Sequence, residues 1–68
     1  MSERFFVWYD NHSDPTGLHP YWEGAGWVEA ESATEAAQKA KDDGCKWTAV
    51  CITVDTKRPT DETILARA

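Results

Sequence analysis

The chain has 68 residues and a mass of 7.7 kDa, enough for one domain spanning 1–68 and about four elements, since a second core needs roughly 100 residues or more. A hydrophobic share of 41% with 28% charged residues excludes a disordered acidic tail. Seven Lys and Arg against twelve Asp and Glu give a net charge of −5, which opposes direct DNA or RNA binding because phosphate recognition needs cations to release counterions. The same acidity suits a basic partner and also keeps a small protein in solution.

Arg4 to Tyr9 is almost continuously aromatic and β-branched, the pattern of a first strand buried on both faces and central in a sheet. Its five-residue apolar run, Phe5 to Tyr9, is too short to span a bilayer or to act as a signal peptide. Asp10 to Pro20 has turn composition, with Asn11, Ser13, Asp14, Pro15 and Gly17, and is long for a hairpin connection. Tyr21 to Glu31 alternates as a half-buried second strand, with Trp27, Glu29 and Glu31 on one parity and Val28 and Ala30 on the other. Gly24 and Gly26 mark a bulge or sharp twist within it.

Ser32-Ala33-Thr34-Glu35 is a capping box, in which the Ser32 hydroxyl accepts from the Glu35 amide and the Glu35 side chain reaches back. A helix follows, with Ala33, Ala36, Ala37 and Ala40 as a small apolar stripe that permits close approach to a sheet. Gly44 is expected to supply a left-handed stop. Lys46 to Val54 reads as a third strand, with Val50, Ile52 and Val54 on one face and Trp47, Ala49 and Cys51 on the other. Lys57-Arg58-Pro59 ends it. Thr60 to Ala68 is read as a short helix capped by Thr60, with Asp61 and Glu62 in its first turn, in preference to a return strand through Ile64 and Leu65.

These elements predict an α+β fold. A three- or four-stranded, mostly antiparallel sheet in the order 2-1-3 carries one helix on one face (β-β-α-β), followed by a short C-terminal segment. The opposite face then holds Trp27 and Trp47 with either Phe5 and Tyr9 or Phe6 and Trp8, only partly covered by the C-terminal segment.

Cys45 and Cys51 lie six residues apart in what reads as one strand, about 20 Å when extended, which is too far for a disulfide. Two unpaired thiols and no signal peptide predict a reducing, cytoplasmic setting with no membrane contact. Cys51 reads as a small buried hydrophobe rather than a nucleophile, so no catalytic residue and no enzymatic activity are expected. Asp10, His12, Asp14 and His19 offer metal-ligand types, but their spacing matches neither a calcium loop nor a zinc pattern. No metal or other cofactor is assigned.

One helix feature breaks a local rule. Asp42 and Asp43 fall in the last turn, where the dipole is negative, with Lys39 and Lys46 available to compensate. With Glu29, Glu31 and Glu35 they would form an acidic patch for a basic partner. Trp27, Trp47, Tyr21 and Trp22 supply anchors of the residue types that dominate interfaces.

The run from Glu29 to Ala37, a strand-to-helix junction in a small acidic chain, resembles that of tiny phage and mobile-element proteins of anti-CRISPR type. The resemblance implies an inhibitor that blocks a host nucleic-acid-binding complex by occupying its basic surface, and it transfers no residue roles. The expected function is therefore a non-enzymatic protein-protein interaction module acting on a partner or as a homodimer. The alternative is a small-ligand or metal-binding domain using the loop from Asp10 to Trp22.

Overall fold

The structure, a computed structural model, describes residues 2–11, 21–44 and 46–68. Its elements are β1 (Glu3–Asp10), β2 (Trp22–Ala30), α1 (Ala33–Asp43), β3 (Val50–Thr53) and β4 (Ala66–Arg67). The four strands form one antiparallel sheet in the order β2-β1-β3-β4 with the helix on one face, the α+β arrangement that the sequence predicts, in its four-stranded form. β1 is antiparallel to both neighbours, so β2 and β3 run the same way and α1 provides the crossover between them.

Helix and sheet meet over a core of Phe5, Val7, Ala30, Ala36, Ala37, Val50 and Ile52. Ala36 and Ala37 are fully buried, and their small side chains bring the helix backbone down onto β1 and β3. Ser32 caps the helix as expected, its hydroxyl accepting from the Glu35 amide at 3.2 Å. The return half of the box does not form, because the Glu35 carboxylate pairs with Lys39 at 3.3 Å instead. Gly44 leaves the helix in extended backbone (φ 174°) and is not the left-handed stop expected, although its N–H still bonds to the Ala40 carbonyl.

The bulge in β2 is where the glycines place it. Val7 faces Gly26 and Trp8 faces Gly24, so Ala25 is the extra residue, and Gly26 takes a φ of 113° that L side chains rarely adopt. Gly24 serves a different need. A Cβ there would stand 3.2 Å from Phe6 Cζ, so the absence of a side chain lets the ring rest on the strand backbone.

Two boundaries differ from the sequence reading. The third strand is four residues long, and Lys46 to Ala49 and Val54 lie outside it. The C-terminal segment is not a helix. Thr60 caps a single turn, with its N–H bonded to Thr63 Oγ1 and its carbonyl accepting from the Ile64 N–H, and the chain then pairs with β3 as β4. The reason is β3 itself: Val50, Cys51, Ile52 and Thr53 are all buried, and its second edge needs partners for its backbone groups. The backbone of 65–68 supplies them through Leu65 N–H to Ile52 O, Val50 N–H to Ala68 O and Ala68 N–H to Val50 O.

Candidate binding surface

The face of the sheet without the helix is built from alternate residues of β1, which place Arg4, Phe6 and Trp8 on one side while Phe5 and Val7 enter the helix core. Phe6 is the centre. Its ring lies 5.0 Å from that of Trp8, tilted by 36°, and 5.1 Å from that of Trp27, edge-on at 72°. The Arg4 guanidinium covers the Trp27 ring at 4.9 Å, and the register sets Glu29 opposite Arg4.

The C-terminal third of the chain covers part of this face. Ile64 packs on Trp8, Trp22 and Cys51, Pro59 is buried, and Arg58 stands over Tyr21 with 4.8 Å to the ring centroid. Trp27 remains 46% exposed and Tyr21 41%, each carrying a guanidinium. Two anchors from the sequence reading change place. Trp22 is buried at 8% exposure and belongs to the core beneath Ile64. Trp47 is 94% exposed but precedes β3, so it does not share the sheet face with Trp27; the strand starts at Val50, and the parity that paired Trp47 with Cys51 does not reach back to it.

The five acids do not make one patch. Glu29 lies in β2 opposite Arg4, Glu31 follows the end of that strand, and Glu35 is in the first turn of α1, paired with Lys39. Asp42 and Asp43 stand at the other end of the helix, about 11 Å along the axis from Glu35. Lys39 also donates to the Glu29 carbonyl at 3.1 Å, and so does not compensate Asp43; Asp42 accepts from the Gln38 amide at 3.0 Å.

Beside Asp42 and Asp43, an open groove of about 570 Å³ separates the helix from β2. Its position follows from small residues, since Ala25, Gly26 and Ala40 leave space that larger side chains would fill. A second hollow of about 460 Å³ lies between Tyr21, Trp22 and Arg58.

The loop that suggested metal ligands is held at its described ends. Asp10 Oδ1 accepts from the Tyr21 N–H at 3.1 Å, the Asn11 N–H bonds to the Tyr21 carbonyl, and Asn11 Nδ2 donates to Glu23 Oε2 at 2.6 Å. Asp10 thus acts as a loop cap. His12, Asp14 and His19 lie outside the described residues, as does Cys45. Cys51 is a free thiol with no solvent exposure, and burial pushes it up to about 11, with Arg67 opposing. A thiol so held stays protonated at neutral pH and is not poised for attack.

Of the two β1 pairs the sequence allowed on this face, the structure selects Phe6 and Trp8. Arg4 and Arg58 escaped the sequence reading as binding-face residues. For Arg4 the signal was there: once Phe6 and Trp8 take the helix-free side, parity puts Arg4 beside them. For Arg58 none existed, because its contact depends on the path of 54–65 across the sheet. Among the described residues, no helix is long and apolar enough to cross a membrane. No known protein family, curated protein or solved structure matches the chain.

Proposed function

We propose that the chain is a non-enzymatic protein-protein interaction module that docks through the uncovered part of its sheet around Trp27. The observation that carries this reading is the stack of Arg4, Trp27 and Phe6. An indole 46% exposed, fixed edge-on by a buried-side ring and covered by a guanidinium, is a preorganised anchor of the kind that dominates interface energies. The net charge of −5 and the acids on the helix favour a basic protein surface as partner and disfavour direct nucleic-acid contact. With the phage-protein resemblance, this extends to an inhibitor that works in the cytoplasm by occupying the basic surface of a nucleic-acid-binding complex.

Light scattering over a concentration series and partner capture with Trp27→Ala test the reading. The expected result is loss of capture, or of a homodimer, with the fold retained by circular dichroism. Retained capture by Trp27→Ala and Arg4→Ala together would remove this face from the proposal. The hollow between Tyr21, Trp22 and Arg58 favours a second reading, a small planar ligand bound beside the Asp10 to Trp22 loop. Quenching of tryptophan emission by such a ligand, abolished by Arg58→Ala and unaffected by Trp27→Ala, would select it.

A further inference from the structure

We infer that the outer edge of β2 and the groove behind it receive an extended basic segment of a protein partner, which adds to the sheet as a fifth strand. This rests on the reading of the chain as a protein-interaction module and names the partner's chemistry.

β2 ends the sheet order, and among the described residues no strand pairs with its outer edge, where Lys39 alone reaches the Glu29 carbonyl. Unpaired strand edges are templates for another chain, and residues 27–30, beyond the bulge, present a regular one. Immediately behind the edge lies the 570 Å³ groove, floored by Val7, Val28, Gly26 and Ala40 and rimmed by Asp42 and Asp43. A strand added to β2 would alternate its side chains between the groove and the Trp27 side, so small or medium apolar residues at every second position fit the helix-side space.

Charge selects the occupant. Asp42 and Asp43 sit at the negative end of the helix, and among the described residues no cation pairs with either. Lys39 is taken by Glu35 and the Glu29 carbonyl, and Lys41 donates to the Thr48 carbonyl at 2.8 Å. A lysine or arginine brought to this rim would meet two carboxylates and the helix C-terminal dipole together. A second copy of the chain fits poorly, because its own β2 carries two glutamates and no cation to set against the acidic rim. A basic segment supplies one, and its lysines on the Trp27 side meet Glu29 across the strand pair.

The probe is the capped peptide Lys-Val-Lys-Val-Lys-Lys-Lys, whose groove-side parity carries two valines and one lysine for the acidic rim, with a peptide bearing Glu in place of every Lys as control; each is titrated into the full chain at low salt while amide shifts and exchange are followed. The lysine peptide is expected to slow exchange along Trp22 to Ala30 and to shift the amides of Asp42 and Asp43; the control is expected to do neither. Asp42→Asn with Asp43→Asn should weaken binding about three- to tenfold, the yield of two exposed ion pairs, without harm to the helix. Ala40→Leu, which fills the groove, should abolish it. No protection of β2 at millimolar peptide, equal binding of the two peptides, or indifference to the double Asn variant would overturn the inference. Peptide binding lost in Trp27→Ala but kept in the Asn variant would overturn it too, leaving the aromatic face as the docking surface and the interaction reading intact. Concentration-dependent protection of β2 without peptide would assign the edge to a second copy instead.

Discussion

The Trp8 indole N–H donates to Thr53 Oγ1 at 2.9 Å across β1 and β3, and the same hydroxyl donates onward to the Asp55 carbonyl at 2.8 Å. Thr53 is 1% exposed and Trp8 7%, so the bond between indole and hydroxyl is closed to water. This pair fixes the ring on which Phe6 leans, and through Phe6 it fixes Trp27. A large aromatic can occupy a central strand here because its one polar atom has a partner on the neighbouring strand.

Replacing Thr53 by Val keeps the shape and removes the acceptor. The buried indole N–H is then unpartnered, which should cost about 1–3 kcal/mol in chemical denaturation. Thr53→Ser retains the hydroxyl and should lose less than Val does. Equal losses in the two variants would mean that the methyl group, and not the hydrogen bond, is what Thr53 contributes.

The two glycines of β2 should fail differently when substituted. Gly26 has open space around it but a φ of 113°, so Gly26→Ala strains the backbone alone, at about 1–3 kcal/mol, with the near-UV spectrum unchanged. Gly24 has ordinary backbone but Phe6 Cζ stands 3.2 Å from the position of an added Cβ. Gly24→Ala should therefore displace the Phe6 ring and alter the near-UV circular dichroism of the aromatic row. A reversed pattern would mean that the bulge is not where the register puts it.

Local chemistry made much of this fold legible. The doubly apolar run at Phe5 to Tyr9 marks a central strand, Ser32 marks the start of the helix, and the two glycines mark the bulge, because each depends on a residue and its immediate neighbours. The C-terminal segment was not legible in this way. Thr60, Asp61 and Glu62 do begin a helical turn, and local propensity ends there; the unsatisfied edge of β3, contributed by residues ten or more positions earlier, takes the rest as strand. The site shows the same division. Trp27 follows from strand parity, whereas the displacement of Trp47, the burial of Trp22 under Ile64 and the stacking of Arg58 on Tyr21 are set by how two irregular segments cross the sheet.

Deleting residues 60–68 should show how much the tail contributes. The deletion removes Ile64 from Trp8, Trp22 and Cys51 and turns β3, buried on both faces, into an open edge. Losing the apolar contact alone costs about 2 kcal/mol, and a domain of this size is only marginally stable. The expected outcome is a chain unfolded or nearly so at 25 °C, with tryptophan emission shifted to the red. A truncated chain that melts like the full one would make the tail peripheral and leave the whole helix-free face open for docking.

Cys51 predicts a pH dependence whose sign follows from its burial. The thiol is pushed from its ordinary 9.0 up to about 11, chiefly by burial and against the pull of Arg67 across the β3–β4 ladder. Between these values the unfolded chain releases the thiol proton and the folded chain keeps it, so the unfolded state is favoured as pH rises. The contribution is complete below pH 9 and is lost progressively as pH rises through about 11, for a total of at most about 3 kcal/mol. The measurement is a difference between the wild-type chain and Cys51→Ala, each unfolded by urea from pH 8 to 11. The Ala variant should begin less stable, because a buried side chain is missing, and should then decline less steeply. The gap between the two should narrow with pH. Parallel curves would show that the thiolate is accommodated in the folded state, with Arg67 offsetting the burial.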